Sequence, residues 1–185
     1  MRFVIAASVI AAAAAFAGSA KAEPFTLTSK TFKDGGMLTV KNAGNIKSNP
    51  NCIGENVSPE LSWSNAPAGV KSFVLVSTDW EGQGGLGSHH LVTYNIPPTV
   101  TGFAEGELSK ESPKFTGGKE TAGTPFYRGP CPPAGSGMHH YLFNVIVTDY
   151  EPGALPPGLT RDELWEKLKG HAKGVAGIVA LFGRN

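Results

Sequence analysis

The chain has 185 residues, 41% of them apolar, with 16 Lys and Arg against 15 Asp and Glu. That length fits one domain large enough to bury a core without relying on disulfides. The balanced charge does not suggest nucleic-acid binding, which wants a basic patch or stripe.

The first 22 residues, "MRFVIAASVIAAAAAFAGSAKA", read as a secretory signal peptide. Arg2 supplies the basic start, Phe3 to Ala17 the apolar run, and Ala20-Lys21-Ala22 the cleavage site before Glu23. A membrane anchor is the alternative, but the run is short for a span and no stop-transfer pattern follows. The expectation is a cleaved 1–22 and a single domain over 23–185, periplasmic or secreted. Without Arg2 and Lys21 that domain carries 14 basic and 15 acidic residues, a net charge of −1. In an oxidising compartment Cys52 and Cys131 read most simply as one disulfide. Two free thiols, or a reactive Cys131, are the alternatives.

The mature region is punctuated by turn-formers, with 24 Gly and 14 Pro in the whole chain. Between them lie short β-type runs: "PFTLTS", "LSWS", "KSFVLVSTDW", "HHLVTYNIP" and "HYLFNVIVTDY". This spacing predicts an all-β-dominated sandwich or barrel. Residues 97–126 read as a long loop region with a functional or covering role. One helix is expected near 160–170. Thr160 and Glu163 form a capping box, Leu164, Trp165 and Leu168 recur at helical spacing, and Gly170 is a stop. The last run, "GVAGIVALFGRN", reads as a closing strand, with a short buried helix as the other possibility.

Side chains alternate faces along a strand. In "HHLVTYNIP" the alternation groups His90, Val92, Tyr94 and Ile96 on a core face, and His89, Leu91, Thr93 and Asn95 on the other. In "HHYLFNVIV" it groups His139 with Tyr141, Phe143, Val145 and Val147. One histidine of each pair, His90 and His139, therefore heads a core-facing row at the rim, and His89 and His140 point away. A four-histidine metal cluster is excluded by this geometry, whereas two histidines and a carboxylate could still hold a metal. Asp79 ends the preceding strand, and an antiparallel pairing would bring it to the same rim as His90. Asp79 is equally readable as a strand-end residue that caps a backbone amide.

Three blocks, "SPELSWSNAPAG" leading into "KSFVLVSTDW", then "HHLVTYNIP", then "YRGPCPPAGSGMHHYLFNVIV", resemble the phosphatidylethanolamine-binding protein family, also called Raf kinase inhibitor-like. The likeness is to its bacterial exported branch and runs from about Asn51 to Gly183. The resemblance implies a β-sandwich with a Greek-key large sheet, a smaller sheet and a few peripheral helices. It also implies a small anion-binding pocket at one end, taking phosphate or a phosphorylated head group, with no enzymatic turnover and no cofactor. The matching pocket positions are Asp79, His90, Tyr127, Gly129, Cys131, Pro132 and His139. The chain departs from the family's Asp-Pro-Asp-x-Pro, reading Asp79-Trp80-Glu81-Gly82-Gln83, so both prolines are lost and Trp80 is placed to cover the pocket. Leu91 stands at the family's aromatic position, and His140 where an arginine usually follows His139.

The expected function is a non-catalytic exported binding protein for a small anion or phosphorylated head group, which could also modulate a partner protein. The Gly129 and Cys131 amides would serve as donors, held by the prolines, with His90 and His139 as charge partners. The alternative is a metal-assisted or acid–base hydrolase using His90, His139 and Asp79. No nucleic acid or stable membrane insertion is expected, and the protein would be a monomer or homodimer.

Overall fold

The computed structural model describes residues 23–184. The signal peptide expected over 1–22 lies outside the described residues. Nine strands are described: β1 (Thr26–Thr28), β2 (Gly36–Met37), β3 (Leu61–Ser64), β4 (Ser72–Asp79), β5 (Ser88–Ile96), β6 (Gly102–Phe103), β7 (Thr116–Gly117), β8 (Gly137–Thr148) and β9 (Ala172–Arg184). Two helices join them, the single turn α1 (Gly82–Gly85) and α2 (Arg161–Leu168).

The strands form two sheets, one of three in the order β1-β3-β6 and one of six in the order β2-β9-β8-β4-β5-β7. In the large sheet only β2 runs parallel to its neighbour, β9. β4 and β5 form a hairpin. The chain then crosses so that β8 pairs with the far side of β4, and β9 follows antiparallel to β8. This is a Greek-key return.

The two sheets enclose the main core. Leu27, Leu61, Trp63 and Phe103 come from the small sheet, and Phe73, Leu75, Leu91, Tyr141, Phe143 and Ile178 from the large one. The opposite face of the large sheet is also buried. Val74, Val76, Val92, Tyr94 and Ile146 pack there under Leu155, Leu159, Leu164 and Leu168. Covering both faces explains why β4 is buried along its whole length.

The helix behaves as its sequence predicts. The Thr160 hydroxyl accepts from the Glu163 amide, the Glu163 carboxylate accepts from the Thr160 amide, and Leu164 and Leu168 face the sheet. Gly170, at φ 78°, follows in the left-handed region. The final run is strand β9, paired along β8 from Ala172 to Arg184. The 97–126 region contains only β6, β7 and a short 3₁₀ turn at Glu107–Ser109, and Phe103 and Leu108 from it close the edge of the main core.

The face grouping of β8 holds, with His139, Tyr141, Phe143, Val145 and Val147 on the main-core side. The grouping of β5 needs correction. Val92 and Tyr94 face α2, whereas Leu91 and Ile96 face the main core. The register jumps from Ser77↔Leu91 to Thr78↔His89, so His90 is the extra residue of a β-bulge. A second irregularity, with Asn95 at φ 56°, turns Ile96 back to the main core. His90 thus turns inward beside Tyr141, their rings 5.1 Å apart edge to face. Its direction matches the alternation argument, but its companions do not.

Candidate functional site

Asp79 ends β4 at the rim of the large sheet and is almost completely buried. Its two oxygens do different work. Oδ1 accepts from the Glu81 and Gly82 amides at 3.0 and 3.1 Å. Oδ2 lies 2.8 Å from His139 Nδ1 and 3.8 Å from His90 Nε2. Both readings of Asp79 are therefore realised in one side chain. It caps the turn that starts the lip, and it orients the histidines.

His90 and His139 are both buried. The His90 Nδ1–H donates to the Arg128 carbonyl at 2.6 Å, which leaves Nε2 facing Asp79. Burial pushes the His90 imidazole below its ordinary value, and the Arg128 carbonyl and the Asp79 charge only partly oppose this. His139 Nδ1 faces Asp79, and its Nε2 lies 3.1 Å from Ser136 Oγ. The Tyr141 hydroxyl, beside Asp79, is buried without a hydrogen-bond partner, and burial drives its pKa upward.

Asp79, His90 and His139 line a cleft of about 430 Å³, together with Glu81, Ser88, Arg128, Cys131, Pro132 and Ser136. Five of the seven positions implied by the resemblance, Asp79, His90, Cys131, Pro132 and His139, meet in this wall. Tyr127 and Gly129 do not line it. Tyr127 is buried, with its hydroxyl donating to the Asn42 carbonyl at 3.0 Å. The Gly129 amide donates to Asn56 Oδ1 at 2.7 Å, so it cannot serve an anion as expected. The Cys131 amide makes no hydrogen bond among the described residues.

The stiff loop is fastened from one side. Cys131 is bonded to Cys52, with their Cα atoms 4.6 Å apart. The Gly44 amide donates to the Pro130 carbonyl at 2.9 Å, and Asn56 Nδ2 to the Tyr127 carbonyl at 3.0 Å. Asn56 sits at φ 60°, a left-handed conformation that asparagine tolerates, and clips residues 127 and 129 at once.

The lip between β4 and β5 is a run of left-handed residues, with Gln83, Gly84, Gly85 and Gly87 all at positive φ. Glu81 ties it to β8, its carboxylate accepting from the His140 amide at 3.0 Å and meeting His140 Nδ1 at 2.8 Å. Burial alone would raise the Glu81 pKa, but these two His140 contacts leave it lowered. His140 thus turns from the cleft but braces its lip. Trp80 is not in the cleft wall. It is 52% exposed, so it does not cover the pocket.

Arg128 is the residue the sequence reading missed. It follows Tyr127 in the loop and is among the residues that line the cleft. Asp79, Glu81 and His139 offer ligand atoms within 4.8 Å of one another. Those atoms already bond each other, lip amides and His140, so a metal would have to displace those bonds.

Residues 28–183 match the family model described as phosphatidylethanolamine-binding protein. The chain belongs to that family. A UPF0098 protein of Methanothermobacter thermautotrophicus is 37% identical over 146 residues, covering 76% of this chain and 92% of its own length. LppC of Mycobacterium tuberculosis, named as a lipoprotein, is 37% identical over 165 residues, covering 87% of this chain and 73% of itself. The crystal structure of Escherichia coli YbcL, described as a new member of the mammalian PEBP family, superposes with a TM-score of 0.78. That comparison has 28% identity and covers 87% of this chain and 99% of YbcL. Membership in the phosphatidylethanolamine-binding protein family agrees with the two-sheet fold and its large Greek-key sheet.

Proposed function

We propose that this protein binds a small oxyanion, such as the phosphate of a phosphorylated head group, in the cleft at the rim of the large sheet. The observation that carries the reading is the set of groups on one wall: Arg128 and the unpartnered Cys131 amide, with His90 Nε2 joining them as a donor when the imidazole is protonated. Several fixed donors in one small cleft suit an anion with several acceptor oxygens. The disulfide and the glycines' packing hold this wall in place before the ligand arrives, which lowers the ordering cost of binding. An exported or envelope location fits the disulfide and the lipoprotein relative. No described helix is long and apolar enough to cross a membrane.

Calorimetric titration with phosphorylethanolamine tests the reading. Saturable one-site binding that sulfate competes away is expected. No heat with phosphorylethanolamine, phosphate or sulfate from about pH 5.5 to 8 would sink it.

One observation favours a second reading, hydrolysis. Ser136 Oγ, His139 Nε2 and Nδ1, and Asp79 Oδ2 form a line at 3.1 and 2.8 Å, the order of a nucleophile, base and orienting acid. The Ser136 hydroxyl also lies 2.8 Å from the Pro133 carbonyl, a competing acceptor. Binding is the better supported of the two, because the Ser136 proton goes to the Pro133 carbonyl, the nearer acceptor, rather than to His139. Covalent labelling of Ser136 by a fluorophosphonate, lost in His139→Gln, would favour hydrolysis instead.

A further inference from the structure

We infer that Arg128 is the anchor for the ligand's anionic group, an inference that rests on the binding reading above. Arg128 lines the cleft and also a neighbouring pocket formed with Asn56, Ala122 and Thr124, and its side chain is only 25% exposed. Nε is buried with no partner, and among the described residues no guanidinium nitrogen makes a hydrogen bond. Among the described residues its one ion pair is with Glu120, NH1 standing 3.7 Å from Oε2, beyond hydrogen-bond length. Glu120 is itself committed. Oε2 accepts from the Ala122 amide, and Oε1 from the Thr124 amide and hydroxyl, so the buried carboxylate holds a turn.

A half-buried guanidinium with unspent donors is costly unless something completes it. The backbone of Arg128 is meanwhile fixed with unusual care. Its amide donates to the His90 carbonyl at 2.8 Å, and its carbonyl accepts from His90 Nδ1 at 2.6 Å. The residue that presents the cation is thus clipped twice to the residue that presents Nε2. A planar fork suits an oxyanion with two or more acceptor oxygens, and the imidazole edge beside it adds a donor once protonated.

The charges around it set the conditions. Glu120 faces Arg128 from its own loop, Asp79 and Glu81 stand at the end of β4, and His90, His139 and His140 come from β5 and β8. With the histidines neutral, the cleft wall holds two carboxylates, Asp79 and Glu81, and one permanent cation, Arg128, which also pairs with Glu120. Arg128 is then the only fixed positive charge in the cleft wall among the described residues, and protonation of the histidines adds to it rather than replacing it.

The test is calorimetric titration with sulfate, whose charge is constant across the working range, at about pH 5.5 and 8. Arg128→Gln should weaken binding by about tenfold or more at both values, the cost of a charged hydrogen-bond pair. Arg128→Lys should restore part of the affinity at both, through charge without the fork. Sulfate should also slow modification of Arg128 by phenylglyoxal in the unaltered protein, read by peptide mass spectrometry, which is independent of how any variant folds. Wild-type affinity in Arg128→Gln, or no protection of Arg128 under saturating sulfate, would overturn the inference and leave the binding reading standing. If the unaltered protein bound no sulfate and no phosphorylethanolamine, both would fall together.

Discussion

Asp79 Oδ2 lies 2.8 Å from His139 Nδ1, while Asp79 Oδ1 accepts the Glu81 and Gly82 amides, so one buried carboxylate joins the cleft's histidine to its lip. Asp79→Ala leaves His139 and two amides without their acceptor and should cost about 3 kcal/mol in denaturant unfolding. Asp79→Asn keeps an oxygen for the amides and should cost less. Equal losses in the two variants would mean that turn capping contributes nothing.

Burial lowers the pKa of His90 and, more mildly exposed, of His89 beside Arg161. As pH falls below about 6.5 the unfolded chain takes up these protons first. Between that value and the lowered folded pKa, the unfolded state holds more protons, so stability falls with falling pH. Above about 6.5 the two states match and the effect vanishes. Urea unfolding across this range should show the slope, and His90→Gln should reduce it. Sulfate should flatten it by favouring the protonated native form. A slope unchanged in His90→Gln would assign the effect elsewhere.

The Glu81–His140 contact should govern the lip more than the fold. The pair is largely exposed, so Glu81→Gln should cost under about 1 kcal/mol globally. Amide exchange over residues 82–87 should nevertheless quicken, since that run has few other ties to β8. Because the Glu81 pKa is lowered in the folded state, this brace is present above the ordinary carboxylate range and is lost as pH falls through the folded value. Exchange that stays slow in the variant would show that the turn capped by Asp79 holds the lip alone.

The Cys52–Cys131 bond links residues 79 apart in sequence, joining the cleft loop to the segment from which Asn56 also grips it. Reduction, or the double change Cys52→Ser with Cys131→Ser, should cost about 2–4 kcal/mol. Sulfate affinity should fall as well, because Cys131 and its free amide lie in the wall. Loss of stability with unchanged affinity would mean that the prolines fix the loop unaided.

Much of this was legible in the sequence, for local reasons. The helix at 161–168 declared itself through Thr160 and Glu163, and β8 through strict alternation from His139 to Val147. β5 misled because both faces of the large sheet are covered. Apolarity could not choose a core face between Leu91 and Val92, and a bulge at His90 leaves no mark in residue type. Arg128 and Asn56 were missed for another reason. Each acts through contacts with residues far away in sequence, Asn56 with Tyr127 and Gly129, and Arg128 with His90. A single arginine or asparagine in a loop gives no periodic signal.

Gly129 is the sharpest case of a position whose role changed, from amide donor to packing contact. A Cβ there would overlap the Asn42 carbonyl oxygen and lie 2.6 Å from the Gly44 nitrogen, and backbone atoms cannot step aside as a flexible side chain can. Gly129→Ala must therefore push the loop away from residues 42–44, straining the Asn56 clip and the Gly44–Pro130 hydrogen bond together. The expected loss is about 1–3 kcal/mol, as for other overpacked sites. Sulfate affinity should fall too, since the displacement moves Arg128 and Cys131 on either side of Gly129. Denaturant unfolding and calorimetry on the same variant check both halves. A stable Gly129→Ala protein with full affinity would show that the loop's close seat against residues 42–44 is not what holds the cleft wall in place.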